Sequence, residues 1–321
     1  MPLVIKNDPS AFVLAMEDLG PLITLWELFS PSHINSSSLE SSALTKCCVD
    51  IGHRVGSFFA DVHSSVAFEA ILQRASKDPN LSILHHSVTE DVVFGAAVKP
   101  IQERLQNQGG LDPAEAESLY QRVRSDYERG PFPQENCLSI GDCHPGSILV
   151  SPNTLCGDEM RVGAIDWEFA TIDGRGANGD MAQFLASFHV LLLSLPRDTL
   201  AYKAAMSFAG EVAETYAAQS GLVERMAAAK ERGGLGDDSV LGLFRSALIL
   251  HGREIINQAV EREWSNGSHV SVDEMVQAGI WYLQRAGSSV EGLVASKNWN
   301  ELMREETGMM LGLFGLRERE T

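Results

Sequence analysis

A chain of 321 residues in which 44% are apolar and 21% charged has the composition of a folded globular protein, long enough for one large core or two of ordinary size. Its formal charge of -18, from 43 acids against 25 bases, argues against affinity built on neutralising nucleic-acid phosphates or anionic lipid, although it is compatible with a local basic pocket. The five cysteines, Cys47, Cys48, Cys137, Cys143 and Cys156, are odd in number and form no CxxC pair or zinc-ligand spacing, so the expectation is reduced thiols.

The first residues, Met1-Pro2-Leu3-Val4-Ile5-Lys6, have neither the charged start nor the long apolar stretch of a signal peptide. Short apolar runs at 2–6 and 11–16, separated by the turn formers Asn7-Asp8-Pro9-Ser10, predict two strands and a turn. The polar break Glu17-Asp18-Leu19-Gly20-Pro21 fits a linker, and 22–29 is helix-like. From Ser38 to about Ser65, Leu44, Cys48, Ile51, Val55, Phe58, Phe59 and Val62 recur at three and four residues, the period of one buried helix face. Further helices are predicted at 92–105 and from Asp112 to about Glu128, the latter with an N-cap, a proline at the first helical position and an early acid.

Around Asn136 the pattern turns to short strands at 137–140, 147–151 and 160–165, set among turns. A helix then begins at Asp180, where Asp180-Met181-Ala182-Gln183 has the spacing of a capping box. The remainder reads as helix at 199–219, 239–264, 272–286 and 298–313. The longest apolar run, 181–195, is interrupted by Gln183, Ser187, His189 and Ser194 and is too short to span a bilayer, so a cytoplasmic protein is expected.

Two acids stand out within the strand region. Asp142 lies in Ser139-Ile140-Gly141-Asp142-Cys143-His144-Pro145-Gly146-Ser147-Ile148-Leu149-Val150, and Asp166 in Ala164-Ile165-Asp166-Trp167-Glu168. Each follows an apolar run and lies in or beside a turn, where a carboxylate stays hydrated and can take a proton or hold a metal. Phosphoryl transfer from a nucleotide needs one carboxylate to orient or deprotonate the acceptor hydroxyl and oxygen ligands to hold magnesium against the phosphates. The bland alternative is two turn aspartates capping backbone amides. His144 reads as a loop histidine bonded to backbone, and Cys143 as packing. On the late helix Arg253 and Glu254 could face an acceptor pocket, with surface or intrahelical pairing the plainer account.

The order and spacing of these residues resemble the aminoglycoside phosphotransferase and methylthioribose kinase-like family, which shares the protein-kinase-like fold. Its pattern His-Gly-Asp-x-His-x-Gly-Asn-x-Leu, then Ile-Asp-Trp/Phe-Glu, then an Asp opening a helix, is met here by Ile140-Gly141-Asp142-Cys143-His144-Pro145-Gly146-Ser147-Ile148-Leu149, Ile165-Asp166-Trp167-Glu168 and Asp180-Met181-Ala182. The resemblance implies an ATP- and magnesium-dependent kinase of a small-molecule hydroxyl, with Asp142 as the base or hydroxyl-positioning acid and Asp166 as the metal acid. It also implies Ser147 at the second metal position, Asp180 as a structural acid, Val62-His63 as the end of the preceding helix, and Met16, Glu17 and Leu19 at the adenine hinge. The implied fold is α+β and predominantly helical: a kinase-like C-terminal lobe over 21–321, a strand pair and hinge over 1–20 as the remnant of the N-terminal lobe, and a small hairpin carrying the acids.

The chain departs from the family in three places. Ser147 stands where an Asn is expected, and its neutral hydroxyl is a poorer hard-cation ligand than an amide carbonyl. Ile140 replaces a bracing His. Only 16 residues precede the hinge, with no Gly-rich loop and with Lys6 the only basic residue, so by the resemblance most of the nucleotide-covering lobe is expected to be absent from this chain. The alternatives to an active kinase are therefore a catalytically impaired pseudokinase or scaffold with a protein partner, and a truncated gene model of an active kinase.

Overall fold

The structure is a computed structural model, and it describes residues 4–8, 13–16, 20–36, 40–77, 91–132, 135–151, 160–232, 240–262, 270–287 and 304–316. It opens on β1 (Val4–Asp8) and β2 (Val13–Met16), paired antiparallel. The first strand runs past its apolar run: Asn7 and Asp8, expected in the turn, pair with Leu14 and Val13.

The helix-like stretch 22–29 splits into β3 (Ile23–Thr24) and a single turn, α1 (Leu25–Leu28). Thr24 causes the split. Its hydroxyl accepts from the Glu27 N–H at 3.2 Å and the Glu27 carboxylate accepts from the Thr24 N–H at 2.8 Å, a capping box that fixes where the helix starts. After α2 (Pro31–Ser36) the predicted long helix appears as α3 (Ser41–Val62), followed by α4 (Ser65–Ala75), whose N-cap Ser64 accepts from Ala67 N–H. The stretch 92–105 is not one helix. A wide π-helical turn, Phe94–Val98, gives way at Pro100, which has no N–H to continue the ladder, to α5 (Ile101–Asn107). As predicted, α6 (Pro113–Arg129) starts on Asp112, whose Oδ1 accepts from Ala114 and Glu115 N–H at 2.9 and 3.0 Å.

Four short strands follow: β4 (Asn136–Ser139), β5 (Ile148–Val150), β6 (Val162–Ala164) and β7 (Thr171–Arg175). The first three match expected strands, whereas β7 has a single apolar residue, Ile172, and gives no periodic signal. The rest is helical: α7 (Ala182–Ser194), α8 (Leu200–Gln219), α9 (Leu222–Arg232), α10 (Val240–Glu261), α11 (Val272–Arg285) and α12 (Arg304–Gly312). The order β3-β5-β6 makes one antiparallel sheet and β4-β7 another, so the fold is α+β and predominantly helical.

Helix α7 runs through the core. Its Phe184 and Phe188 join Phe29, Phe59 and Phe208 in an aromatic cluster, with Phe188 and Phe208 centroids 4.9 Å apart and Phe59 and Phe184 at 5.3 Å. Burying such a ring stabilises the fold by roughly 1.5–3 kcal/mol, so the cluster fixes α7 against α3 and α8. Glycines let α3 and α8 approach further: a Cβ at Gly52 or Gly56 would sit 2.7 Å from the carbonyl oxygen of Phe208 or Val212. These contacts hold the N-terminal end of α7, and the turn before it, against the strands.

Cys48, Cys137 and Cys143 are free and buried, but Cys47 is disulfide-bonded, which corrects the expectation of reduced thiols throughout. No single helix among the described residues is long and apolar enough to cross a membrane.

Candidate functional site

Two ladders frame the acids. β4 and β7 pair from Asn136 opposite Arg175 to Ser139 opposite Thr171, and β5 and β6 from Ile148 opposite Ala164 to Val150 opposite Val162. The chain passes between the ladders twice, at 140–147 and again at 165–170. Asp142 lies on the first crossing and Asp166 on the second. The Ile165 N–H donates to the Ser147 carbonyl at 2.9 Å, which ties the crossings together. Gly141, at φ +91, lies so close to Phe169 that a Cβ there would collide with the Phe169 backbone. Residues far apart in the chain are thus neighbours because two strand pairs share their connecting loops.

The first crossing is held from outside. Asp180, 2% exposed, accepts from the Ile140 N–H at 2.6 Å and from the Gly141 N–H at 3.0 Å. The His63 Nε2 donates to the same carboxylate at 3.1 Å, and its Nδ1 meets the Tyr216 hydroxyl at 3.0 Å. A buried carboxylate with three donors is satisfied, and it fixes two amides next to Asp142. Gln183 completes the brace: its Oε1 accepts from the Cys143 N–H and its Nε2 donates to Asp142 Oδ1, both at 3.2 Å. The capping box expected at Asp180 to Gln183 is therefore not made. Neither the wide turn Gly176–Met181 nor α7 has a side-chain cap, because both residues point at the loop instead.

Within the loop, Ser147 is 0% exposed and its hydroxyl accepts from the His144 N–H at 3.2 Å while donating to the His144 carbonyl at 2.7 Å. That hydroxyl closes the turn. His144 Nδ1 accepts from the Gly146 N–H at 3.0 Å, the backbone bond expected of it. Cys143 is packed in the core, where burial first, and then the charges of Asp180 and Asp142, raise its thiol pKa well above the usual value, so it is no nucleophile.

The second crossing is held by its own backbone. Asp166 sits at φ 62, ψ 50, the only non-glycine residue with positive φ among the described residues. An L-residue there costs roughly 1–2 kcal/mol. The indole Nε1 of Trp167 donates to the Ala164 carbonyl at 3.1 Å and anchors the turn, leaving Asp166 exposed. Asp142 is half-buried. Met16 ends β2, while Glu17 and Leu19 lie outside the described residues. No group of three or more His, Cys, Asp or Glu that could hold a metal ion occurs among the described residues.

Beside the first crossing opens a cavity of about 670 Å³, walled by α6, the β4–β7 pair and α10, with Asp126, Gly141, Arg175, Asp180, Gln183 and Arg253 in its lining. Arg175 is spent within the wall, its Nη1 donating to Asp126 Oδ2 at 3.0 Å and its Nη2 to the Asp126 and Tyr127 carbonyls at 2.7 and 3.1 Å. The Ser246 hydroxyl donates to the same Asp126 oxygen at 3.0 Å. Sequence reasoning missed Asp126, Arg175 and Gln183 as parts of a site. A charge inside an amphipathic helix or a short strand gives no local signal of the partner it will meet across the fold. Arg253 and Glu254 are buried, at 7% and 5% exposure, and not on the surface; they form the intrahelical ion pair expected of them, with 3.6 Å between Nη2 and Oε2, and Arg253 also lines the cavity. Compared with known proteins, the chain matches no family model and no curated protein.

Proposed function

We propose that the chain is a phosphotransferase with a protein-kinase-like helical lobe, which moves the γ-phosphoryl group of ATP to a hydroxyl of a small molecule. The observation that carries this reading is the clamp of buried Asp180 on the Ile140 and Gly141 amides, which fixes the loop carrying Asp142 beside a cavity lined by Gly141 and by Gln183, the partner of Asp142. Capping aspartates on an ordinary turn need no such clamp and no cavity. Preorganisation of this kind is what positioning catalysis requires, because phosphoryl transfer asks little covalent chemistry of the protein.

In the step, the acceptor oxygen attacks the γ-phosphorus as the bond from that phosphorus to its bridging oxygen breaks. ADP leaves with the electron pair, and the hydroxyl proton passes to the Asp142 carboxylate. Gln183 orients that carboxylate through its Nε2 bond. Magnesium fits the donor set: it is held by one or two carboxylates with waters and substrate phosphates, and Asp166 offers one exposed carboxylate on a rigid turn. When bound it would neutralise phosphate charge.

One observation favours the impaired reading. The Ser147 hydroxyl is engaged on both sides by His144, which leaves it to brace the loop while Asp166 carries the metal. Weak nucleotide binding follows from that. Calorimetric titration of the full chain with ATP and magnesium tests the proposal: saturable binding, with magnesium-dependent hydrolysis that Asp142→Asn abolishes, supports phosphotransfer. Binding without hydrolysis supports the impaired form, and no binding at millimolar ATP overturns phosphotransfer and leaves the scaffold reading with a protein partner.

A further inference from the structure

The two arginines of the cavity differ in one respect. Arg175 makes three hydrogen bonds to α6, whereas Arg253, only 7% exposed, makes no hydrogen bond among the described residues. Its Nε is buried with no partner, and its nearest counter-charge, Glu254 Oε2, stands 3.6 Å from Nη2, beyond a hydrogen bond. A guanidinium carries five donors in a planar fork, and burying it with those donors unused is costly unless something fills them. The fork matches a carboxylate or a phosphate.

Among the described residues no acid of the lining forms a hydrogen bond or ion pair with Arg253. Asp126 gives its Oδ2 to Arg175 and Ser246 while its Oδ1 is buried without a hydrogen-bond partner, Asp180 is taken by His63 and the loop amides, Glu128 by the Arg124 Nε at 2.7 Å, and Asp173 is exposed. Apolar side chains of Val123, Ile249 and Leu250 line the space around them, which strengthens any ion pair formed inside. At the loop side of the same cavity are Gly141 and Gln183, and Gln183 holds Asp142. A molecule filling the space therefore meets, on α10, a guanidinium without a hydrogen-bond acceptor among the described residues and, on the strands, the carboxylate-bearing loop.

We infer that this cavity takes a small hydroxylated molecule carrying an anionic group, a carboxylate or a phosphate, which Arg253 holds while the hydroxyl faces the Asp142 loop. The role of the hydroxyl as phosphoryl acceptor rests on the phosphotransferase reading; the anion anchor does not. Glycerate, glycerol 3-phosphate and glycerol are titrated calorimetrically into the full chain at matched ionic strength, without nucleotide. At least one of the two anions should saturate, and glycerol should not. Binding of glycerate alone assigns a carboxylate, and of glycerol 3-phosphate alone a phosphate.

Arg253→Gln should weaken the anion by about tenfold or more, the loss of a charge-assisted hydrogen bond, with Arg253→Lys in between. If Arg253→Gln does not fold, Leu250→Trp, which fills the cavity from its wall, should abolish anion binding in a folded chain. Absence of binding by both anions, equal binding of glycerol, or anion affinity unchanged in these variants overturns the inference. A parallel ATP and magnesium titration separates the two readings. Anion binding without ATP binding keeps the Arg253 site and removes phosphotransfer, whereas ATP binding without anion binding removes the Arg253 site alone.

Discussion

The crossing at 140–147 is held by side chains that reach it from elsewhere in the fold, whereas the crossing at 165–170 is held by its own backbone. Asp180, His63 and Gln183 brace the first, and the left-handed turn at Asp166 with the Trp167 indole shapes the second. The difference teaches how each acid can be disturbed. Asp142 depends on the helices that carry its braces, and so on the packing of the whole core. Asp166 depends mainly on local conformation, and beyond its own position and immediate neighbours only changes at the two contacts with the first crossing, Ser147 with Ile165 and Gly141 with Phe169, should matter.

The largest effect should come from removing the brace. Asp180→Ala strands two loop amides and the His63 ring with no acceptor, in a site that is 2% exposed, and should cost about 3–5 kcal/mol in urea unfolding at neutral pH. Asp180→Asn keeps one acceptor and should cost less. A loss under about 1 kcal/mol for the alanine variant would mean the clamp does not hold the loop.

Next in size is Gly141→Ala, which puts a side chain at φ +91 and into the Phe169 backbone, and should cost about 2–4 kcal/mol from left-handed strain and overpacking together. Gly110→Ala is the control, since at φ +63 a Cβ meets nothing within 4 Å and only the conformational cost of about 1 kcal/mol applies. Equal losses at the two positions would show that the crossings do not pack on each other.

Acid should loosen the first crossing through the core. His189 on α7 and His251 on α10 are buried against each other, with Nδ1 of His189 3.2 Å from Nε2 of His251 and the Tyr282 hydroxyl 3.3 Å from that Nδ1. His251 Nδ1 donates to the Ala182 carbonyl at 3.1 Å. Burial drives the His251 pKa down to about 3, and burial, with the charges of His251 and Arg197 behind it, drives His189 well below its usual value. Both are therefore neutral in the folded chain while the unfolded chain takes up protons near pH 6.5. Their stabilisation is complete above about pH 6.5 and is lost as pH falls below it, for His251 down to about 3 and by about 2 kcal/mol at pH 5. Urea titrations from pH 7 to 5 should show a steeper loss for the wild type than for His251→Asn, and hydrogen exchange at Ile140 and Gly141 should rise before that at Ile165. Parallel stability profiles would sink this coupling of the core to the loop.

What was legible in the sequence follows the same division. The long helices α3, α6 and α10 and the order of the acids could be read because apolar period, caps and turn residues are local. The break at Pro100 and the one-turn helix capped by Thr24 were local too, but each lies inside an apolar run that also satisfies a longer helix. β7 exists because β4 pairs with it, and nothing in Thr171-Ile172-Asp173-Gly174-Arg175 says so. Asp180 and Gln183 carried a correct signal with two solutions: the spacing of a capping box also lets an acid and an amide face one loop, and only tertiary packing selects the second. Burial of Arg253 and its neighbour Glu254 was likewise invisible, since a charged pair on a helix reads as solvated until the opposing wall is known.

The smallest effect separates fold from chemistry at Asp166. Because this residue sits at φ 62, ψ 50, Asp166→Ala should cost about 1 kcal/mol, whereas Asp166→Asn and Asp166→Gly, which tolerate that conformation, should change stability by no more than about 0.5 kcal/mol. None of the three retains a carboxylate, so each should abolish magnesium-dependent nucleotide hydrolysis if phosphotransfer is the function. Melting temperature and hydrolysis measured together make the contrast with Asp180 direct: at Asp180 the fold fails first, and at Asp166 chemistry fails with the fold intact. An Asn variant that unfolds would show that the Asp166 carboxylate, and not its backbone turn, holds the second crossing.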